Sequence, residues 1–149
     1  MSKLINDPLA VSLFSEISAI EHLLKVKLSK SLPMGMELSH FAILNHISTL
    51  DGEKTPAQLA KSFNLTKGAI TNTLNKLSNM GYIHIRPDWN DARSKLVSIS
   101  NAGKSARNTA VASIEPILGD LIKVMGPEKT KSIIPFLRNL RILLNNAEN

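Results

Sequence analysis

Asn72, Asn75 and Asn79, with Thr71 and the cations Lys67 and Lys76, recur at spacings that gather them along one side of a helix. Short amides and hydroxyls between lysines, with no carboxylate among them, are unsuited to general acid–base or nucleophilic catalysis. They suit the donor and acceptor pattern of base edges in a major groove, with the lysines placed for phosphates. The same stretch, Thr66 to Met80, carries Ile70, Leu74 and Leu77 at i, i+4 and i+7, one stripe that must be buried. At about 100° per residue, Gly68, Asn72, Asn75 and Asn79 fall opposite that stripe, with Lys67, Thr71 and Lys76 on its flanks. Gly68 in the first turn weakens the helix but allows a backbone to approach closely. The spacing therefore predicts a DNA recognition helix, with a plain polar surface helix as the alternative on this stretch alone.

The residues before it narrow the choice. Thr55-Pro56-Ala57-Gln58 combines a capping Thr, Pro at the first helical position and Gln three residues after the cap, the pattern of a capping box. Leu59, Ala60 and Phe63 then make a short apolar face, so a helix runs to about Phe63. Asn64-Leu65-Thr66 leaves room only for a tight turn, with Asn64 suited to the left-handed conformation and Thr66 to capping the next helix. Two short helices so joined form a helix-turn-helix.

After the recognition helix, Gly81 fits the position just past a helix end. Tyr82–Arg86 and Lys95–Ser100 read as short strands around a polar hairpin loop, Pro87–Ser94. Arg86, Arg93 and Lys95 give this hairpin a positive rim, and an arginine at its tip suits a narrow minor groove. Trp89 has two readings, stacking on a sugar or packing on the base of the hairpin itself, the second being the expectation.

Longer helices flank this region. Asp7-Pro8 reads as a cap and first helical residue. Leu9, Leu13, Ile17, Ile20, Leu24 and Leu28 then mark an amphipathic helix ending near Lys30. Leu38, Phe41, Leu44, Ile47 and Leu50 define a second, closed by Asp51-Gly52, with His40 and His46 off the stripe and expected at the surface. Ser100-Asn101-Ala102-Gly103 opens a helix that continues through Ala106, Ala110, Ile114, Ile117 and Leu121 to about Val124, bent at Pro116. Beyond Gly126-Pro127, Ile133, Leu137, Leu140 and Leu144 form a final seam, which Pro135 is expected to interrupt. The first stripe outruns the core of a small domain, so Leu13, Ile17 and Ile20, together with the final seam, are expected to meet a second chain.

Composition bounds the function. The 149 residues are 43% hydrophobic and only 4% aromatic, so one domain with an aliphatic core is expected. No cysteine is present, which excludes disulfides and thiolate metal sites. The net charge of +6 is uneven: Lys54 to Arg107 holds nine Lys/Arg against two acids, Asp88 and Asp91, while the remainder is slightly acidic. That concentration of charge is the electrostatic footprint of a nucleic-acid site. There is no Gly-rich phosphate loop, nucleophile motif or carboxylate pair, so no enzyme is assigned. His22, His40, His46 and His84 lack metal-ligand spacing, so neither a metal nor another cofactor is assigned. With no apolar run of spanning length and no signal-like N-terminus, a soluble cytoplasmic protein without membrane contact is expected.

Thr55-Pro56-Ala57-Gln58-Leu59-Ala60, Leu74-Asn75-Lys76-Leu77, Gly81-Tyr82-Ile83 and above all Asp91-Ala92-Arg93-Ser94-Lys95-Leu96-Val97-Ser98-Ile99-Ser100 resemble the MarR family of bacterial transcriptional regulators. The likeness spans nearly the whole chain, its specific residues lying between 55 and 103. It implies a mainly α fold with a small β-wing, in which a winged helix-turn-helix lobe at 36–100 joins a helical dimerisation region at 1–32 and 101–149. It further implies a homodimer on a pseudo-palindromic operator in double-stranded DNA, with Arg93 entering the minor groove and Asp91 holding the wing. The expected DNA-binding set is Thr66, Lys67, Gly68, Thr71, Asn72, Asn75, Lys76, Arg86, Asp91, Arg93 and Lys95. Members of the family often release DNA on binding a small, commonly phenolic, anion, so Phe14, His40, Phe41 and Leu44 become candidate ligand residues. The function implied is a repressor with such an effector. The alternative is a DNA-binding architectural or partner-binding protein that senses nothing.

Overall fold

Local chemistry sets where the elements begin and end. The computed structural model describes residues 8–33, 35–50 and 52–146. Its elements run α1 (Pro8–Ser29), α2 (Leu38–Thr49), α3 (Pro56–Ser62), α4 (Lys67–Asn79), β1 (Ile83–Asp88), β2 (Asp91–Ile99), α5 (Asn101–Met125) and α6 (Pro127–Asn146). The helices and the antiparallel β1–β2 hairpin make a winged-helix fold, mainly α with a small β-wing. The expected roles of Asp7 and Asp51 lie outside the described residues.

The core is aliphatic, and α2 runs through its middle. Ile43, Leu44 and Ile47 of α2 cluster with Leu59 of α3, Ile70, Leu74 and Leu77 of α4, Ile83 of β1, Val97 of β2 and Ala110 of α5. Full burial of each large side chain contributes about 1.5–3 kcal/mol, so three such residues are enough to hold α4 against the lobe. Because α2 packs against α4, α5 and β2 together, it buries more than the single stripe that its periodicity predicts. Ile43 and His40, both off that stripe, are buried.

The structure differs from the sequence expectations at the wing and at the last helix. The loop expected at 87–94 is instead mostly strand, leaving Trp89-Asn90 as the turn. Pro87 is tolerated because, among the described residues, β1 pairs only with β2, so its missing N–H breaks no second ladder. The register slips at Pro87/Asp88, where Asp88 pairs with Asp91 although Pro87 pairs with Lys95, and Ala92, Arg93 and Ser94 are accommodated in the irregularity. Nor does Pro135 divide the last helix, since α6 is continuous from Pro127 to Asn146, as α5 is through Pro116. In each case the carbonyl deprived of its partner, on Ala112 or Lys131, belongs to an exposed residue where water can replace the lost donor.

Residues 52–55, ahead of α3, add a short third edge to the wing. Lys54 and Val97 exchange backbone hydrogen bonds at 3.0 and 2.7 Å, so β2 lies between this edge and β1. At the other end of the sheet, the Ser100 hydroxyl accepts from Gly103 N (2.9 Å) and donates to the Gly81 carbonyl (2.6 Å). That single side chain ties the end of α4 to the start of α5. By contrast, α6 buries no residue and α1 only Leu28 within the chain.

Candidate nucleic-acid interface

The helix-turn-helix is built by capping at each junction. The Thr55 hydroxyl accepts from Gln58 N at 3.1 Å while Thr55 N donates to Gln58 Oε1 at 2.9 Å, closing the capping box. After α3, Leu65 N reaches the Ala60 carbonyl (2.9 Å) and Asn64 N that of Lys61 (3.2 Å), a Schellman closure. Asn64 takes the required positive φ of 49°. Thr66 then accepts from Ala69 N at 3.1 Å and starts α4. The turn thus leaves few degrees of freedom between the two helices.

Burial divides α4 cleanly. Ile70, Leu74 and Leu77 are buried, while Lys67, Gly68, Thr71, Asn72, Asn75, Lys76 and Asn79 are not. The Thr66 hydroxyl accepts from Ala69 N in its cap, which leaves its O–H proton able to donate.

Between α4 and the wing lies a groove of about 680 Å³ lined by Thr55, Pro56, Ala57, Ala60, Lys67, Ile70, Thr71, Arg93, Ser94 and Lys95. No lining residue is acidic. It brings Lys67 and Thr71 from α4 beside Arg93 and Lys95 from β2, and adds the start of α3, which no pattern in the sequence places there. Both acids of the basic segment are spent on turns. Asp88 Oδ1 accepts from Asn90 N (2.9 Å), and Asp91 Oδ1 accepts from Arg93 N (3.0 Å) with Ser94 Oγ at 3.5 Å from Oδ2. Asp91 therefore shapes the backbone that carries Arg93.

Arg86 is placed differently from the other cations. Its Nε and Nη2 donate to Glu53 at 2.9 and 2.6 Å, and its Nη1 donates to the Pro87 carbonyl at 3.0 Å. The hydrogen bond to Glu53 holds the guanidinium charged above its ordinary range, and also neutralises it. Glu53 lies just outside the basic segment and thirty-three residues from Arg86. No local pattern signals the pair, because the sheet brings the two together. The same holds for Arg107, whose Nε and Nη2 donate to Asn45 Oδ1 at 3.0 and 2.9 Å across α2 and α5. Trp89 is 78% exposed at the hairpin turn, contrary to the expected packing on the wing's base.

The four candidate ligand residues differ in burial. Leu44 is a core residue, Phe41 is half-buried, and Phe14 is exposed on α1. His40 is buried, not at the surface, and its Nδ1 accepts from Glu37 N at 3.1 Å, capping α2. A separate cavity of about 560 Å³ lies between α1 and the start of α2, lined by Glu21, Leu24, Lys25, Ser29, Met36, Glu37, Leu38, Ser39 and Ala42.

Burial pushes the His40 imidazole below its ordinary value of 6.5; Glu37 opposes the shift and Lys76 of α4 adds to it. Protonation would also remove the lone pair that caps α2. Between the lowered folded value and 6.5 the unfolded chain binds more protons, so this contribution is complete above 6.5 and is lost as pH falls below it. Unfolding free energy measured by denaturant titration should fall across that window, with a slope of up to about 1.4 kcal/mol per pH for one proton taken up on unfolding. His40→Gln, which keeps an acceptor but does not titrate, should flatten the dependence. An equally steep slope in that variant would refute the assignment.

These caps, this groove and this hairpin define a winged helix-turn-helix protein. Residues 34–94 match the sequence profile of the MarR family. Solved structures agree in fold. A mutant MarR from E. coli complexed with operator DNA superposes with a TM-score of 0.78 at 22% identity, covering 93% of this chain and 99% of that one. The organohalide-sensing transcriptional regulator RdhR in its 2,4-dichlorophenol-bound form gives 0.80 at 18% identity, covering 97% and 90%. CouR from Rhodococcus jostii RHA1 bound to p-coumaroyl-CoA gives 0.74 at 15%, covering 99% and 97%. Among the described residues no helix is long and apolar enough to cross a membrane.

Proposed function

We propose that the protein is a homodimeric, sequence-specific DNA-binding repressor whose hold on its operator is released by a small aromatic anion. The observation that carries the DNA reading is the acid-free groove joining Lys67 and Thr71 to Arg93 and Lys95. The lobe at 36–100 presents this surface, and the regions 1–32 and 101–149, through α1, α5 and α6, supply the dimer. Exposure of Leu13, Ile17, Ile20, Ile133, Leu137 and Leu144 in the single chain supports that pairing, and Leu140 lies in the same seam. The complex of a MarR protein with operator DNA is consistent with the arrangement. For the effector, the cavity between α1 and α2 offers Leu24, Met36, Leu38 and Ala42 for a ring and Lys25 for an anion. The phenol and coumaroyl-CoA complexes of RdhR and CouR support a ligand of that kind.

On DNA, Thr71, Asn72 and Asn75 read base edges, and Lys67 and Lys76 meet phosphates. Gly68 admits the backbone, and Arg93 senses minor-groove width. Asn72→Ala should relax preference at one position per half-site, since a lost bidentate contact costs roughly 1–3 kcal/mol of discrimination. Lys76→Ala should weaken all sequences alike and flatten the salt dependence, because fewer counterions are released. Arg93→Ala should weaken most the sites with A/T-rich flanks. Titrating each variant against selected and scrambled duplexes at several salt concentrations checks this. Equal losses on both duplexes for Asn72→Ala and Lys76→Ala would refute the division of labour. If phenolic acids leave duplex affinity unchanged, the protein senses nothing of that class.

A further inference from the structure

The wing ends in the chain's single tryptophan. Its indole is 78% exposed at the hairpin turn, so the apolar face it offers is open to a partner. One flank of the indole is already supported, because the Arg86 guanidinium carbon lies 5.7 Å from the ring centroid, within cation–π reach. Arg86 is itself held, by the fork to Glu53 and the bond to the Pro87 carbonyl. Glu53 is held in turn by the backbone pairing of Lys54 with Val97. Val97 faces the core, and neighbours along a strand point to opposite sides. Glu53 and Arg86 therefore share the outer face of the wing and meet across β2. A chain of supports runs from the sheet edge to the indole.

We propose that Trp89 is a DNA-contacting residue, a flat apolar plate against sugar and groove edge beside Arg93, and that Glu53 and Arg86 are its positioning residues. This rests on the reading of the α4–wing groove as the DNA site. Arg86 is then a weaker phosphate ligand than the free lysines, because three of its five N–H donors are committed and Glu53 balances its charge.

The test uses the full chain and a labelled duplex selected from a randomised pool by the wild-type protein. Emission of the sole tryptophan should change when that duplex saturates the protein. Trp89→Ala should weaken binding about tenfold, in line with the loss of an aromatic contact to a base or sugar. The salt dependence should stay unchanged, because no phosphate contact is removed. Trp89→Phe should recover most of the affinity. Glu53→Gln is decisive in sign. Removing a carboxylate beside DNA would by electrostatics alone tighten binding and steepen its salt dependence. Loss of the support instead weakens binding about as much as Trp89→Ala does and blunts the emission change. Should Glu53→Gln fail to fold, Glu53→Asp keeps the charge but is too short for the fork, and should show the same loss. Unmoved tryptophan emission, or equal or tighter binding by a folded Glu53 variant, overturns the assignment. If the wild-type protein enriches no duplex at all, the DNA reading itself falls, and this assignment with it.

Discussion

Leu140→Asp should sediment as a monomer at micromolar concentrations where the parent chain sediments as a dimer. In the single chain α6 buries no residue, and Leu137 and Leu144, on the same seam, are 49% and 64% exposed. α1 adds Ile17 and Ile20, which are 41% and 51% exposed. So much aliphatic surface is worth about 1.5–3 kcal/mol for each side chain a partner covers fully, more in sum than association costs. In a twofold interface every substitution appears twice. An unpaired carboxylate in an apolar seam costs several kcal/mol at each copy. At about 1.4 kcal/mol per tenfold change, the dissociation constant should rise by several orders of magnitude. The core of the lobe, from Ile43 to Ala110, does not use Leu140. Far-ultraviolet circular dichroism should therefore keep the lobe's helical signal, while duplex affinity falls with the loss of the second half-site contact. A dimeric Leu140→Asp protein, or a folded monomeric parent, would refute the pairing.

Gly103→Ala should destabilise the lobe by about 3 kcal/mol, the upper end of what overpacking costs. Helix propensity alone gives the opposite sign, since Ala is favoured over Gly in a helix interior by about 1 kcal/mol. Packing decides against propensity here. A Cβ at Gly103 would overlap the Tyr82 carbonyl oxygen and press Ile99 Cγ1 at 2.9 Å. The Tyr82 carbonyl cannot move aside cheaply, because it accepts from Ser100 N at 3.0 Å at the junction of α4, the wing and α5. A methyl group at Gly119, in the same helix, would meet nothing within 4 Å. Gly119→Ala should therefore stabilise by up to about 1 kcal/mol. Urea denaturation of the two variants beside the parent gives the comparison. A Gly103→Ala protein as stable as Gly119→Ala would show that the junction has slack.

Local patterns in the chain determined the parts of this protein whose physics is local. The Thr55–Gln58 capping box, the positive φ at Asn64, the Thr66 cap and the Gly81 terminus depend on neighbours within a few residues, so their side-chain types sufficed to place them. The same is true of the split of α4 between buried Ile70, Leu74 and Leu77 and an outward face without acid, because helical periodicity fixes which residues lie together. The tertiary structure alone decided what depends on distant partners. Whether His40 lies in water or in the core turned on α2 being covered on several sides. Whether Arg86 is a free cation turned on Glu53 crossing the sheet. Pro135 stays within a helix because water can reach the exposed carbonyl it leaves unpaired, and Pro87 within a strand because β1 has no second neighbour among the described residues. The necessity of Gly103 comes from a backbone carbonyl far enough along the chain that no periodicity could register it.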